Sequence, residues 1–289
     1  MQWANAVVQG LLLGGLYALL AAGLSLMFGV MRLVNLAHGA LAIVGAYLGY
    51  VLVQKTGLPP FATIIVVIPL MAAIGWLLQS ALLNTALNKQ ALAPILVTFG
   101  LAVILQNVML QLFTADYRSI QVGDLAGASI QITPDIAIGV FPLMTFVVGV
   151  IVIAALQQYL ARTKTGRAMR ATSDDREAAT LMGIDNKSIY ALATAIALAI
   201  VGIAGVFIGI KTQFNAYSGD TYLIFAFEAV IIGGLGSLWG TLAGGMILGV
   251  ATTVGAQLFP SSGTLLADLV FLAILVFLPT GLFPKVVNG

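Results

Sequence analysis

Residues 162–187 read RTKTGRAMRATSDDREAATLMGIDNK, and we call this segment the polar island because the sequence on both sides of it is strongly apolar. It holds six of the 12 basic residues and four of the 10 acidic residues. Of the 289 residues, 61% are hydrophobic and 8% are charged, against about 25% charged in a typical soluble domain. Because so few polar side chains cannot cover a water-soluble globule, the composition predicts an integral membrane protein.

Nine apolar runs make up most of the chain, and a helix needs about 20 residues to cross the hydrocarbon core of a membrane. The runs are continuous and not alternating, which favours helices over a β-barrel. They cover 5–30, 39–53, 61–83, 94–113, 137–160, 189–210, 221–235, 238–258 and 265–283. We therefore predict an all-α integral membrane protein, a polytopic bundle of about 8–9 transmembrane helices in a single transmembrane domain over 1–289.

Two parts of this bundle are predicted to be short or broken helices, at 39–53 and at 221–240. The runs 39–53 and 221–235 are shorter than a full span. The segment IIGGLGSLWG (231–240) has three glycines in four positions. Since glycine weakens a helix, this segment predicts an unwound turn, which a membrane tolerates only inside protein or beside a water-filled cavity.

The charges of the connecting segments predict which side of the membrane each one faces. Basic residues concentrate in cytoplasmic loops, so the segment 161–187 is predicted to be cytoplasmic. The segment 114–136 has Asp116, Asp124 and Asp135 against only Arg118 and is predicted to be extracytoplasmic. Its stretches SIQV (119–122) and SIQIT (129–133) could pair as a hairpin, but we expect a plain connection.

Several kinds of chemistry are excluded by composition. The chain has no cysteine and one histidine, His38, so it offers neither a thiolate site nor an ordinary histidine metal site. No catalytic pair and no G-x-x-x-x-G-K-[ST] sequence occurs, so any ATP hydrolysis must come from another protein. A net charge of +2 is too small to indicate nucleic acid binding. We expect a non-enzyme with no metal and no cofactor.

Two polar residues within or next to apolar runs have alternative interpretations. Glu228, in FAFEAV, either lines a pathway or ties helices together through a hydrogen bond, since a lone carboxylate in the membrane is costly. His38, in VNLAHGA (34–40), is expected to be a polar group at a helix break near the cytoplasmic face.

The polar island contains the pattern of a short helix. Asp174 is predicted to cap its N-terminus, Glu177 to complete the cap, and Gly183 to end it. The enclosed residues 175–182 include an apolar surface. A helix this short is marginal in water, so it needs a surface to pack against. The pattern favours a docking helix over a passive loop.

Four segments resemble known permeases. EAATLMG (177–183) is similar to the EAA-x3-G element of ABC importer permeases, although the Ile-x-Leu-Pro continuation is replaced by ATAIAL (193–198). The stretches SLMFGVMRLVNLAHGALAIVGAY (25–47), TKTGRAMRATSDDREAATLMGID (163–185) and FEAVIIGGLGSLWGTLAGGMILG (227–249) resemble the LivH-type permease of branched-chain amino acid ABC importers. The resemblance extends over essentially the whole chain in the same order.

The resemblance implies a permease half in the inner membrane of a bacterium or archaeon, surrounded by lipid and paired with a LivM-like permease. It implies two cytoplasmic ABC ATPases docked on the helix at 174–183 and a periplasmic or extracytoplasmic substrate-binding protein at the outer mouth, with 161–187 as a coupling loop. The expected substrate is a branched-chain or related amino acid. The alternative is an ion-coupled secondary transporter or channel for small polar solutes, which would need no ATPase.

The same resemblance assigns expected roles to two sets of residues. The ATPase-coupling residues are expected to be Arg170, Asp174, Asp175, Glu177, Ala178, Ala179 and Gly183. The residues of the translocation pathway or gate are expected to be Asn35, His38, Gly39, Glu228, Gly233, Gly234 and Gly236.

Overall fold

The computed structural model describes residues 2–87, 92–133, 136–260 and 262–283. Within these ranges, each of the nine apolar runs contains a helix. The helices are α1 (Gln2–Met31), α2 (His38–Thr56), α3 (Thr63–Leu78), α4 (Asn84–Ala86), α5 (Ala93–Phe113), α6 (Val140–Arg162), α7 (Lys164–Asp174), α8 (Arg176–Leu181), α9 (Asn186–Lys211), α10 (Gly219–Gly233), α11 (Leu238–Leu258) and α12 (Leu265–Phe277).

The lengths of these helices fit a polytopic membrane protein. In the described part of the chain, seven helices are long and apolar enough to cross a membrane. One of the seven is the continuous helix Pro60–Ala86, which includes α3, a π-helical turn at Gln79–Leu83 and α4. The remaining two runs form α10, of 15 residues, and α12, of 13 residues. The prediction of an all-α polytopic membrane bundle is confirmed, whereas the total of about 8–9 membrane helices stays a prediction.

The two predicted irregular regions have different outcomes. The run 39–53 lies within a helix of 19 residues, because α2 continues to Thr56, so it is longer than predicted. The interruption lies before it at 32–37, where Arg32 has a φ of +51°. The break predicted within 221–240 is present, since α10 ends at Gly233 and α11 begins at Leu238.

The segment between α5 and α6 is not the plain connection that we expected. Strand β1 (Ser129–Thr133) pairs antiparallel with β2 (Ile136–Gly139). The alternative pairing of 129–133 with 119–122 is also wrong, because 119–122 lies next to a different part of the chain. There the N–H of Ile120 donates to the carbonyl of Gly209 at 2.8 Å, and Arg118 forms an isolated bridge with Phe214. Residues 134–135 lie outside the described ranges.

The chain forms two compact units, each assembled from separate segments. Unit 1 comprises Met1–Ser25, Gln121–Ile153 and Ile224–Gly289. Unit 2 comprises Leu26–Ile120 and Ala154–Leu223. The assignment of 1–289 to one domain stays a prediction.

Unit 2 is built around α9, which packs against α2 and α3. Its apolar residues are mostly buried, and they include Phe207 and Leu198 among the largest fully buried side chains. The crossing with α2 depends on small residues, because a Cβ atom at Gly205 would overlap the carbonyl oxygen of Ala42. Because lipid supplies no hydrophobic force between helices, such close backbone contact is how spanning helices gain packing energy.

Unit 1 packs α11 against the first part of α1 by the same means. A Cβ atom at Gly245 would meet the carbonyl oxygen of Gly14, and one at Gly249 would overlap that of Gly10. The hydroxyl of Thr253 donates to the carbonyl of Ala6 at 2.8 Å. The glycines of α1 and α11 are therefore sites of close helix contact.

The α2–α9 crossing gives a test of this packing. Gly205→Val should lower the thermal unfolding temperature of the detergent-purified chain, because the new side chain must push the two backbones apart, at a cost of about 1–3 kcal/mol. Gly100→Val is the matched control, since no atom lies within 4 Å of a Cβ at Gly100. Equal unfolding temperatures for the two variants would show that the close crossing does not stabilise the fold.

Candidate functional site

The short helix of the polar island begins one residue later than the sequence predicted. The capping side chain is Asp175 and not Asp174, which is the last residue of α7. The Asp175 carboxylate accepts hydrogen bonds from the backbone N–H groups of Glu177 and Ala178, both at 2.9 Å. These two bonds satisfy donors that a helix N-terminus otherwise leaves without partners, so α8 starts at a defined residue.

The predicted end of this helix is confirmed. Gly183 has a φ of +81°, a conformation that favours glycine. The N–H of Gly183 donates to the carbonyl of Thr180 at 2.9 Å, and the N–H of Ile184 donates to that of Ala179 at 3.0 Å. The last carbonyls of α8 are thereby satisfied, and the chain is turned towards α9.

The capped helix presents an apolar end to solvent. Ala179 is buried, whereas Leu181 is 88% exposed and Met182 is 82% exposed. Glu177 and Ala178 are also exposed. Two neighbouring large apolar side chains are thus exposed on an otherwise polar segment.

Asn186, the first residue of α9, connects α8 to a spanning helix, and sequence reasoning missed it. Its side chain is buried. Its Nδ2 donates to the carbonyl of Arg176 at 2.9 Å and to the hydroxyl of Thr180 at 2.8 Å, while its Oδ1 accepts from the hydroxyl of Thr172 at 3.1 Å. One amide therefore joins α7, α8 and α9.

Asp185 supplies the cap of α9, next to this amide. Its carboxylate accepts from the hydroxyl of Ser188 at 2.6 Å and from the N–H of Lys187 at 3.1 Å. The hydrogen bond from Ser188 lowers the pKa of Asp185 below its ordinary value. One signal in the sequence could have identified this region. Asp185, two residues after Gly183, is a capping residue type at the start of a long apolar run.

The helix before α8, α7, is capped at its N-terminus and bonded to neighbouring helices through Ser173 and Arg170. The hydroxyl of Thr163 caps α7 by accepting from the N–H of Gly166 at 2.9 Å. The hydroxyl of Ser173 donates to the carbonyl of Gly29, near the end of α1, at 2.6 Å. Arg170 is exposed and donates to the carbonyl of Ala161 at 3.3 Å. Arg170 thus contacts the end of α6.

Three of the expected gate residues lie at the interruption before α2, in unit 2. Asn35 is buried, and its Oδ1 accepts from the N–H of Ala37 at 3.0 Å. The N–H of His38 donates to the carbonyl of Asn35 at 3.2 Å, and the His38 side chain is fully buried. The side chain of Asn35 thus replaces part of the missing helical bonding.

Gly39, the third of these residues, permits a contact between two helix N-termini. A Cβ atom at Gly39 would overlap the carbonyl oxygen of Gly219, the first residue of α10, and a Cβ at Gly219 would meet the backbone of Ala40. The starts of α2 and α10 are therefore in backbone contact, which a larger residue at either position would prevent.

The other four expected gate residues lie in unit 1. Glu228 is buried within α10, and its Oε2 has no hydrogen-bond partner among the described residues. The carboxyl of Asp268 in α12 lies close enough to act on it electrostatically. Glu228 is thus packed between helices, and its role in a gate stays a prediction.

The break at 233–236 is filled by the chain itself. Gly234 has a φ of +101° and Gly236 a φ of +80°. The carbonyls of Ile232 and Gly233, left open at the end of α10, accept from the N–H groups of Leu282 and Phe283 at 2.9 and 3.0 Å. The unwound turn is therefore satisfied by the segment after α12, in the way that lipid surroundings require.

The α11 side of this break is closed by Ser237. Its hydroxyl accepts from the N–H of Gly240 at 3.1 Å, which caps α11. Within the described ranges, no group of three His, Asp or Glu residues is placed to hold a metal ion.

The expected site residues therefore form three local groups. The coupling residues from Asp175 to Gly183 lie together on α8 and its caps. The pathway residues are divided, with Asn35, His38 and Gly39 in unit 2 and the remainder in unit 1.

Comparison with known proteins identifies the family of this chain. A family model described as "Branched-chain amino acid transport system / permease component" matches residues 6–279. The high-affinity branched-chain amino acid transport system permease protein BraD of Pseudomonas aeruginosa is 28% identical, over 98% of this chain and 96% of its own length. The corresponding permease protein LivH of Escherichia coli is also 28% identical, over 99% and 96%.

Relatives also occur among archaea. A probable branched-chain amino acid transport permease protein LivH of Methanocaldococcus jannaschii is 27% identical, over 96% of this chain and 91% of its own length. Among solved structures, PsaBC from Streptococcus pneumoniae in complex with Fab has a similar fold, with a TM-score of 0.50 at 16% identity over 94% of this chain and 91% of that chain.

The family match over nearly the whole length, together with the seven helices of the described ranges that are able to cross a membrane, makes this a multi-pass protein of the cytoplasmic membrane. The chain belongs to the family of permease components of branched-chain amino acid transport systems.

Proposed function

We propose that the chain is one permease subunit of an ABC importer that moves branched-chain or related amino acids into the cell, driven by separate ATPases that dock on the helix at 174–183. The observation that carries this proposal is the exposed apolar end of α8, formed by Leu181 and Met182. An isolated helix of six residues is not stable in water. Here capping at both ends and the amide of Asn186 hold it in one conformation.

The charge distribution supports the orientation that this function needs. The polar island carries six of the 12 basic residues, which supports a cytoplasmic location for it under the positive-inside rule. The segment 114–136 lies at the other end of the spanning helix α6. It therefore faces the outside in this orientation and is available to a substrate-binding protein. An ATPase in the cytoplasm can reach only the first of these two surfaces.

The route of coupling follows from the contacts of Asn186. A force applied to α8 reaches α9 through the bonds from Asn186 to Arg176 and Thr180. Because α9 is packed tightly against α2 and α3, it moves as part of a rigid group of helices. ATP-driven closure of the ATPases would in this way displace one side of the permease and open the pathway inward.

A second permease, similar to LivM, is proposed as the partner that completes the pathway. The helix α5 is poorly covered by its own chain, since few of its residues are buried. A spanning helix with this little intrachain contact is available to a second subunit. ATP hydrolysis is assigned to the partner ATPases, because the chain has no P-loop.

Replacement of the exposed apolar end tests the docking surface. Leu181→Asp should leave membrane insertion unchanged and reduce co-purification of the ATPases at least tenfold, because a carboxylate would be buried in the proposed interface. Leu125→Asp is the matched control, an exposed leucine in the segment that we place outside. If the Leu181→Asp variant retains the ATPases fully, α8 is not their docking site.

Replacement of Asn186 tests the coupling route separately from docking. Asn186→Ala should keep the ATPases bound but lower the number of leucine molecules taken up per ATP hydrolysed by a reconstituted complex, because α8 would no longer be fastened to α9. Lys187→Ala, an exposed neighbour, should leave this ratio unchanged. An unchanged ratio in Asn186→Ala would show that force enters by another route.

A further inference from the structure

A charged side chain that the sequence did not single out lies on the surface of unit 2 at the level of its spanning helices. Asp220 is the second residue of α10 and is exposed. Its Oδ1 accepts a hydrogen bond from Nε2 of Gln106 in α5 at 2.8 Å. The two residues are separated by 114 positions in sequence, so only the fold brings them together.

The position of Gln106 places this pair inside the membrane. In the orientation proposed above, the outer end of α5 is Phe113. Gln106 lies seven residues before it, about 10 Å along the helix axis at ~1.5 Å per residue. The Asp220 carboxylate therefore lies at a depth where contact with lipid hydrocarbon is unfavourable.

Nothing described in this chain neutralises that charge with a cation. The ion pair found among the described residues joins Arg118 to Asp116, and no basic side chain lies within 4.0 Å of Asp220 there. Two weaker interactions stabilise the carboxylate. Gln106 donates to it, and the first turn of a helix favours negative charge. A carboxylate has room for about four hydrogen bonds, so most of its accepting capacity stays available.

The surrounding surface of α5 is apolar. Phe99, Val103 and Gln106 recur at helical spacing and so lie on one face of α5. Phe99 is 58% exposed and Val103 is 42% exposed. Together, the Asp220 carboxylate and this face of α5 combine a negatively charged hydrogen-bond acceptor with an aliphatic and aromatic strip. A molecule that fits both has an ammonium group next to an apolar side chain.

We propose that Asp220, held by Gln106, lines the translocation pathway and binds the α-ammonium group of the transported amino acid, with the face of α5 at Phe99 and Val103 receiving the apolar side chain. This inference rests on the proposed function and narrows the class of substrates that the importer accepts. It selects amino acids with a protonated amino group over urea and short amides, which carry no positive charge for the carboxylate to bind.

Removing the charge of Asp220 while keeping the size of its side chain tests whether this carboxylate recognises the substrate. The complete importer, with its ATPases and binding protein, is reconstituted in proteoliposomes, and ATP-driven uptake of labelled leucine is measured. Asp220→Asn removes the charge at constant size and should reduce leucine uptake at least tenfold, while assembly of the complex and its ATPase activity without substrate stay unchanged. Asp220→Glu should retain more uptake than Asp220→Asn. Lys55→Gln, which removes an exposed charge outside the segments to which a role is assigned, should have no effect.

The outcomes separate the inference from the proposed function. If the unaltered complex takes up no leucine, the proposed function fails. If it does and Asp220→Asn is equally active, the recognition role of Asp220 is wrong. If Asp220→Asn instead dissociates the complex, the carboxylate binds a partner subunit and not the substrate, which also overturns the inference.

A second experiment tests the pathway without any assumption about substrate. The chain contains no cysteine, so a single introduced thiol can be followed. In the assembled complex, Gln106→Cys and Val103→Cys should react with a membrane-impermeant cationic methanethiosulfonate added from outside, because a thiol reacts as the thiolate and needs water. Ile104→Cys is the control at the same depth but on a different face of α5, about 160° around the helix axis from Gln106, where it is 60% exposed, and should stay unmodified. Equal labelling of Ile104→Cys, or no labelling of the other two, would contradict a water-filled pathway here.

Discussion

The need to satisfy every backbone polar group inside a membrane is the constraint on which the rest of this structure depends. Hydrocarbon offers no hydrogen bonds, so a helix can be interrupted only where other protein groups replace the missing ones. Residues 234–237 leave the helix because Leu282 and Phe283 bond to the open carbonyls. Before α2, the Asn35 side chain serves the same purpose. Each interruption is therefore tied to a particular polar partner.

The same constraint shapes the surface that we assign to ATPase docking. The polar island stands outside the spanning helices, where water can satisfy the backbone, yet α8 is capped at both ends and bonded to Asn186. These interactions fix the direction of a helix too short to be stable alone. A rigid connection to α9 is what a coupling element requires, because a flexible loop would absorb any displacement of the ATPases.

Local signals in the sequence predicted much of this arrangement. The glycine run 231–240 predicted a break, and Gly183 predicted the end of α8, because in both places the residue type itself decides the backbone conformation. The start of α8 was predicted one residue early, since Asp174 and Asp175 are adjacent and either can cap. The hairpin partner of 129–133 was wrong because strand pairing depends on where 119–122 lies in the folded chain.

By itself, the sequence determined that the protein is a helical membrane protein with a capped helix in its polar island. These features follow from composition, periodicity and capping, which act over a few neighbouring residues. Only the tertiary structure decided that Asn186 joins α7, α8 and α9, and that Gln106 meets Asp220 from 114 positions away. Such contacts depend on how helices distant in sequence pack together, and no local pattern of residues encodes that packing.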